Sequence, residues 1–237
     1  MVAEAIPALL RVGCVQTDFG RIFGSKVGES EANIVRRNQL VEAMAPVVDF
    51  ADEFEKGMAG AKGSDQNPWE ARIAGTYLTW LESHRSRILT VATINKIEGL
   101  PPEMISRFQR VYFVDLPTED ERVEIFTLHL IKRQIKLDAT QVRALAMESK
   151  GFNGREIRNT VQAAMQMAFA ASHPVAYADV SAALKTITPL SVTRADDINR
   201  IRQWAKDNNV RPASSSVEGE KVADEKPVRR IAMRPKE

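Results

Sequence analysis

Val47–Gly60 reads VVDFADEFEKGMAG, and its interpretation decides the fold. The apolar run Val47–Ala51 climbs into Asp52 and Glu53, the way a buried strand delivers two carboxylates to the edge of a sheet. Such a pair has a use in phosphoryl chemistry. The aspartate orients a magnesium ion through its water shell, and the glutamate polarises a water for attack on a terminal phosphate. Acidic pairs also close strands at ordinary turns, so the pair alone leaves both readings open. Asp49 is the anomaly, a carboxylate in the middle of the apolar run. Buried without a partner, it would cost several kcal/mol or take up a proton. Either it meets a partner such as a nearby arginine, or the strand is less buried than its neighbours imply.

Ile88–Asn95, ILTVATIN, is another apolar strand whose end presents a polar amide. In a parallel sheet it can lie beside the first with both ends on one edge, and ligands of open α/β sheets bind at that carboxyl edge. Asn95 is then a candidate to hold the water that Glu53 polarises. Leu100–Pro117, LPPEMISRFQRVYFVDLP, places Arg107 before Phe108 and a return strand. An arginine there is a candidate for stabilising transition-state charge; its plain alternative is a surface ion pair.

Working outward, the runs Leu9–Val15, Val47–Ala51, Ile88–Thr93 and Val111–Val114 read as strands buried on both faces, with helical segments between them. This alternation predicts an α/β domain with a mostly parallel sheet. One helix is expected over Ser30–Met44, stopped before Pro46 because the residue preceding a proline is pushed out of the helical region. Another is expected over Trp69–Ser83, where Ile73, Tyr77, Trp80 and Leu81 fall at helical spacing and the aromatic pair reads as core. After Val114 the pattern is helical only. Thr118 with Glu121, Asp138 with Gln141 and Asn153 with Glu156 each have capping-box spacing, and further helices are expected near Tyr177–Thr186 and Arg194–Lys206. The expected domains are an α/β core over 1–116 and a small helical domain over 117–210. Residues 211–237, with few apolar side chains and mixed charge, are expected to form a disordered tail that cannot offset its ordering entropy.

Composition narrows the classes. With 237 residues and 44% apolar side chains the chain can bury a sizeable core. Its 33 basic and 31 acidic residues nearly cancel, so neither nucleic acid nor an anionic membrane is expected as a partner. The single Cys14 excludes an internal disulfide framework and a cysteine-rich zinc site. Glu4 and the lack of a basic segment before the short N-terminal apolar run argue against a secretory signal. A cytoplasmic location is expected.

The order of the pieces is more specific than any one of them. GSKVGESE (Gly24–Glu31), the Asp52-Glu53 strand, GTYLTWL (Gly75–Leu81), VATIN, LPPE, RF, VYFVDLP, GFNGREI and PLSVT follow one another in the order seen in AAA+ ATPases. From about Phe19 to Trp204 the chain resembles this family, in particular the stand-alone AAA proteins of chloroplast and cyanobacterial type. The resemblance implies a P-loop NTPase-like α/β core followed by a helical lid, with ATP and Mg2+ as cofactors. It implies a ring-type homo- or hetero-oligomer that remodels a protein or complex. It matches Asp52, also the magnesium residue, and Glu53 to the Walker B carboxylates, Asn95 to the first sensor, and Arg107 to an arginine that reaches a neighbour's nucleotide.

Several positions depart from the family pattern. A Walker A loop needs G-x-x-x-x-G-K-[S/T] so that backbone N–H groups converge on the phosphates and the lysine meets their oxygens, and no Gly-Lys dipeptide occurs in the chain. MVAEA (Met1–Ala5) resembles the middle of the helix after that loop, so the chain is expected to start just downstream of it, as an N-terminally truncated core. Ser106 directly precedes Arg107, so the first of the family's two arginines is missing. Lys26 stands where many substrate-threading relatives carry an aromatic. Arg155 replaces a small residue in GREI and is a weaker candidate for contacting nucleotide. GCVQT (Gly13–Thr17) reads as an insertion. Three functions stay open: an ATP-dependent remodelling ATPase that binds ATP weakly as this chain stands, a non-hydrolysing pseudo-ATPase acting as an interaction module, and a nucleic-acid-binding module working through the basic tail.

Overall fold

The computed structural model describes residues 2–19, 29–58, 68–97 and 102–214, which fall into two compact units, Met1–Val111 and Tyr112–Glu237. The first unit contains α1 (Val2–Leu10), β1 (Gly13–Thr17), α2 (Glu29–Ala43), β2 (Val47–Ala51), α3 (Phe54–Met58), α4 (Pro68–Ser83), β3 (Ile88–Ala92) and α5 (Pro102–Ile105). Its strands form a parallel sheet in the order β1-β2-β3. Thr17, Ala51 and Ala92 lie level in the register, so all three strands end on one edge. The central β2 is buried at all five positions, whereas β1 and β3 are only partly covered. Ile34 and Val41 of α2 and Ile73, Tyr77 and Trp80 of α4 pack with Phe19 and Phe54 into one apolar core. Core packing was the expected place for the Tyr77–Trp80 pair.

The start of the sheet differs from the sequence expectation. Leu9 and Leu10 are exposed at the end of α1 rather than opening a strand. Arg11 turns the chain at φ 55, and GCVQT forms β1. Val15 and Thr17 supply the inward β-branched positions that a pleated surface favours.

Asp49 resolves in favour of a partner. It is fully buried, and it accepts hydrogen bonds from the Thr17 hydroxyl at 2.9 Å and the Tyr77 hydroxyl at 3.2 Å. The Arg37 guanidinium of α2 pairs with the Asp49 carboxylate and donates through Nε to Thr17 Oγ1 at 3.1 Å. The same guanidinium lies 5.1 Å from the Tyr77 ring centre and 4.9 Å from that of Trp80, and the Trp80 indole donates to Glu42 Oε1 at 2.5 Å. The aromatic pair is therefore also the cover of a buried ion pair. Burial, and then the charge of Asp49, pushes the Tyr77 phenol well above its ordinary range, so it remains a donor to that carboxylate.

The second unit contains β4 (Tyr112–Phe113), α6 (Glu119–Lys132), α7 (Ala139–Glu148), α8 (Gly154–Ala170), α9 (Tyr177–Thr186), α10 (Leu190–Thr193), α11 (Ala195–Asp207) and β5 (Arg211–Pro212). The capping boxes at Thr118, Asp138 and Asn153 all form and open α6, α7 and α8. Phe126, Leu130, Leu145, Ile157, Val161 and Val180 are central to its core. Arg202 of α11 grips Asp115, with Nε at 3.0 Å and Nη2 at 2.7 Å from Oδ1.

Two expectations are corrected in this unit. Val111–Val114 is not a buried strand of the first sheet: only Tyr112–Phe113 is extended, it pairs in parallel with Arg211–Pro212, and Val114 is exposed. The two compact units divide between Val111 and Tyr112, shortly before the expected end of the core at 116. For the same reason Arg211–Ser214 is not tail. Ala213 donates its N–H to the Phe113 carbonyl at 2.8 Å, and the Ser214 hydroxyl reaches Glu121 Oε1 at 2.6 Å. The rest of the expected tail lies outside the described residues.

Two predictions arise from this packing. Gly151 has φ 84, and a Cβ added there would come within 2.5 Å of Ser191 Oγ. The serine hydroxyl can rotate away but the left-handed backbone cannot, so Gly151→Ala is expected to cost about 1–3 kcal/mol, read from a thermal melt of the chain. His129 is buried on α6, and burial, with the charges of Arg133, Arg158 and Lys132, holds its imidazole below the usual histidine range. The folded state then stays neutral where the unfolded chain takes up a proton. Stability from this group is complete above the ordinary histidine pKa of about 6.5 and is lost as pH falls from there towards the lower folded value. His129→Gln is expected to remove that slope below about pH 6.5 in urea titrations.

Candidate functional site

At the carboxyl edge of the first sheet, β2 and β3 deliver their terminal residues side by side. The link is backbone pairing: Thr93 N–H donates to the Ala51 carbonyl and Phe54 N–H to the Thr93 carbonyl, both at 2.9 Å. Phe54 is fully buried, with Phe19 and Phe108 edge-on to its ring, and so anchors the turn that carries Asp52 and Glu53. Glu53 itself has φ 50, a left-handed conformation uncommon for a residue with a side chain and one that clusters at functional turns.

Three of the expected site residues meet here. Asn95 Nδ2 donates to Glu53 Oε1 at 3.3 Å. Asp52 accepts the Thr93 hydroxyl on Oδ1, and Thr93 Oγ1 in turn accepts the Glu53 N–H at 3.1 Å. Lys56 Nζ pairs with Glu53 Oε2. The hydrogen bond to Glu53 holds the Lys56 ammonium above the usual lysine range. Loss of hydration opposes this, and the charges of Glu53, Glu55 and Asp52 add to it. Glu55, in the first turn of α3, is buried, and its Oε1 accepts the Asn95 backbone N–H at 3.3 Å.

Asp52 is exposed and offers hard oxygen donors. Among the described residues no group of three or more metal-ligating side chains forms. A magnesium ion fits this arrangement, since it needs only one or two carboxylates and keeps several waters.

The other two candidates come from other segments of the chain. Arg107 is in the first unit, where Nη1 pairs with Glu82 Oε1 of α4 at 2.6 Å, the ion-pair alternative for this residue in a single chain. Arg155 is exposed in the first turn of α8, in the second unit. Lys26 lies outside the described residues. Sequence reasoning did not single out Thr93, Glu55 or Lys56. Thr93 stood inside the strand motif, and Glu55 and Lys56 directly follow the acidic pair, but their roles depend on which strand end lies opposite.

Residues 1–116 match the family described as "ATPase family associated with various cellular activities (AAA)". The chain is 33% identical over 217 residues to the AAA domain-containing protein ycf46 of Guillardia theta, covering 90% of this chain and 43% of the relative. It is 32% identical to its counterpart in Pyropia yezoensis, with 90% and 44% covered. It therefore spans less than half the length of these relatives. The crystal structure of the FIGL-1 AAA domain in complex with ADP superposes with a TM-score of 0.71 at 16% identity, covering 87% of this chain and 73% of that one. Members of the AAA family bind nucleotide, typically ATP with Mg2+, and typically form oligomeric rings. No helix among the described residues is long and apolar enough to cross a membrane. By the family match, residues 1–116 of the chain belong to the AAA family of ATPases.

Proposed function

We propose that the chain carries the hydrolytic carboxylates of an ATP-dependent AAA ATPase that remodels a protein or complex, and that on its own it binds ATP weakly. The observation that carries this is the meeting of Glu53 and Asn95 beside Asp52 on one sheet edge. Bound ATP with magnesium would supply the phosphoryl group and the charge that activates it. Asp52 would hold the magnesium ion. Glu53 would take a proton from the attacking water, and Asn95 would help to orient that water. Arg107 serves a neighbouring copy's site once it leaves Glu82, and Arg155 is a weaker contact to nucleotide. Weak binding follows from the lack of a Gly-Lys phosphate loop in the sequence.

The test is calorimetry with ATP and magnesium on this chain, followed by steady-state turnover of the chain and of Glu53→Gln. Weak binding is expected, with turnover falling about a hundredfold or more in the variant. Turnover indifferent to Glu53→Gln would overturn the reading.

The pairing of Lys56 with Glu53 Oε2 favours a second reading, a non-hydrolysing interaction module in which the glutamate is not a free base. No turnover under any condition, together with specific association with an intact AAA relative, would support it.

A further inference from the structure

Glu55 belongs to no step above, yet it is more deeply buried than either carboxylate of the pair, with 7% of its surface exposed. Burying a third carboxylate beside Asp52 and Glu53 is costly, and one backbone N–H does not repay it. Its Oε1 takes the Asn95 N–H at 3.3 Å, while Oε2 is buried and, among the described residues, has no hydrogen-bond partner. A core position of this kind would be better filled by an apolar side chain unless the acceptor serves a purpose. What it touches is the backbone of Asn95, whose side-chain amide reaches Glu53.

We propose that Glu55 is a positioning residue, holding the Asn95 backbone so that the Asn95 side-chain amide meets the Glu53 carboxylate. The chain of contacts is Glu55 Oε1 to Asn95 N, then Asn95 Nδ2 to Glu53 Oε1, each at 3.3 Å. Asn95 sits past the last ladder residue of β3, Ala92, so the sheet does not restrain it. Glu55 supplies the missing restraint from α3. The proposal rests on the assignment of Glu53 and Asn95 made above for its link to hydrolysis, but the restraint itself does not need nucleotide.

The experiment is amide hydrogen exchange by NMR on the nucleotide-free chain, comparing wild type, Glu55→Met and Glu55→Gln. Methionine keeps the volume and removes the acceptor; glutamine keeps an acceptor. Exchange at the Asn95 N–H is expected to accelerate about tenfold in Glu55→Met and to return close to wild type in Glu55→Gln. The Asn95 side-chain amide resonances should shift in the first variant only, and the β2 amides of Val48 and Phe50 should be unchanged throughout. Unchanged Asn95 exchange in a folded Glu55→Met would overturn the proposal, as would equal acceleration at Val48 and Phe50, which would mark general loosening. If Glu55→Met does not fold, Glu55→Gln decides: a protected Asn95 N–H supports the restraint and an unprotected one overturns it. If nucleotide turnover is measurable, Glu55→Met should lower kcat about tenfold with KM unchanged and Glu55→Gln should recover it. Absence of turnover in the wild type would count against the proposed hydrolysis and leave the exchange result standing.

Discussion

Asp49→Ala is expected to destabilise the first unit by about 3–5 kcal/mol, because it leaves the Arg37 guanidinium buried under two aromatic rings without its counter-charge. The arginine side chain is 10% exposed and the aspartate fully buried, so solvent cannot replace the lost partner. Thr17 and Tyr77 would lose their acceptor in the same step. Urea unfolding followed by near-UV circular dichroism, to which Tyr77 and Trp80 contribute, measures the loss. A difference below about 1 kcal/mol would show that the pair is effectively hydrated, and the buried reading of β2 would fail. Replacing both partners with apolar residues of similar shape, Asp49→Val with Arg37→Met, is expected to recover much or all of the stability. The contrast between the single and double variants separates the cost of an orphaned charge from the net worth of the pair.

Glu156→Ala is expected to cost about 3 kcal/mol in the second unit, since two backbone N–H groups lose a charged acceptor at once. Oε2 closes the capping box on Asn153 N at 2.8 Å, and Oε1 takes Leu190 N at 2.7 Å, tying α10 to the first turn of α8. The motif GFNGREI is therefore joined to PLSVT by one carboxylate, with Gly151 and Ser191 in close contact beside it. Glu156→Gln keeps an acceptor for one of the two donors and should lose about half as much. A thermal melt checks both. Equal losses in the two variants would mean that charge, and not geometry, dominates.

Much of the architecture was legible because its causes are local. The three capping boxes were found from spacing alone, since a side chain and a backbone N–H three residues apart satisfy each other whatever lies around them. The five-residue apolar runs of β2 and β3 were likewise readable, as was the acidic pair at the end of β2. The misreadings share another cause. The first strand was placed too early, over Leu9–Val15, because an edge strand with exposed Gly13, Cys14 and Gln16 lacks an apolar run, and Val111–Val114 looked like core because pairing partners cannot be read from one strand. Asp49 stayed ambiguous until Arg37, twelve residues earlier and on another element, was brought over it.

By itself, then, the sequence determined the alternation of strands and helices, the caps and the carboxylates at the end of β2, which follow from periodicity or short-range contact, while the order of its motifs carried the family resemblance. Only the tertiary structure decided that Asp49 is paired, that Tyr112–Phe113 joins Arg211–Pro212, and that Glu55 reaches Asn95. Each of these depends on residues distant in the chain meeting in an interior where a polar group without a partner is costly.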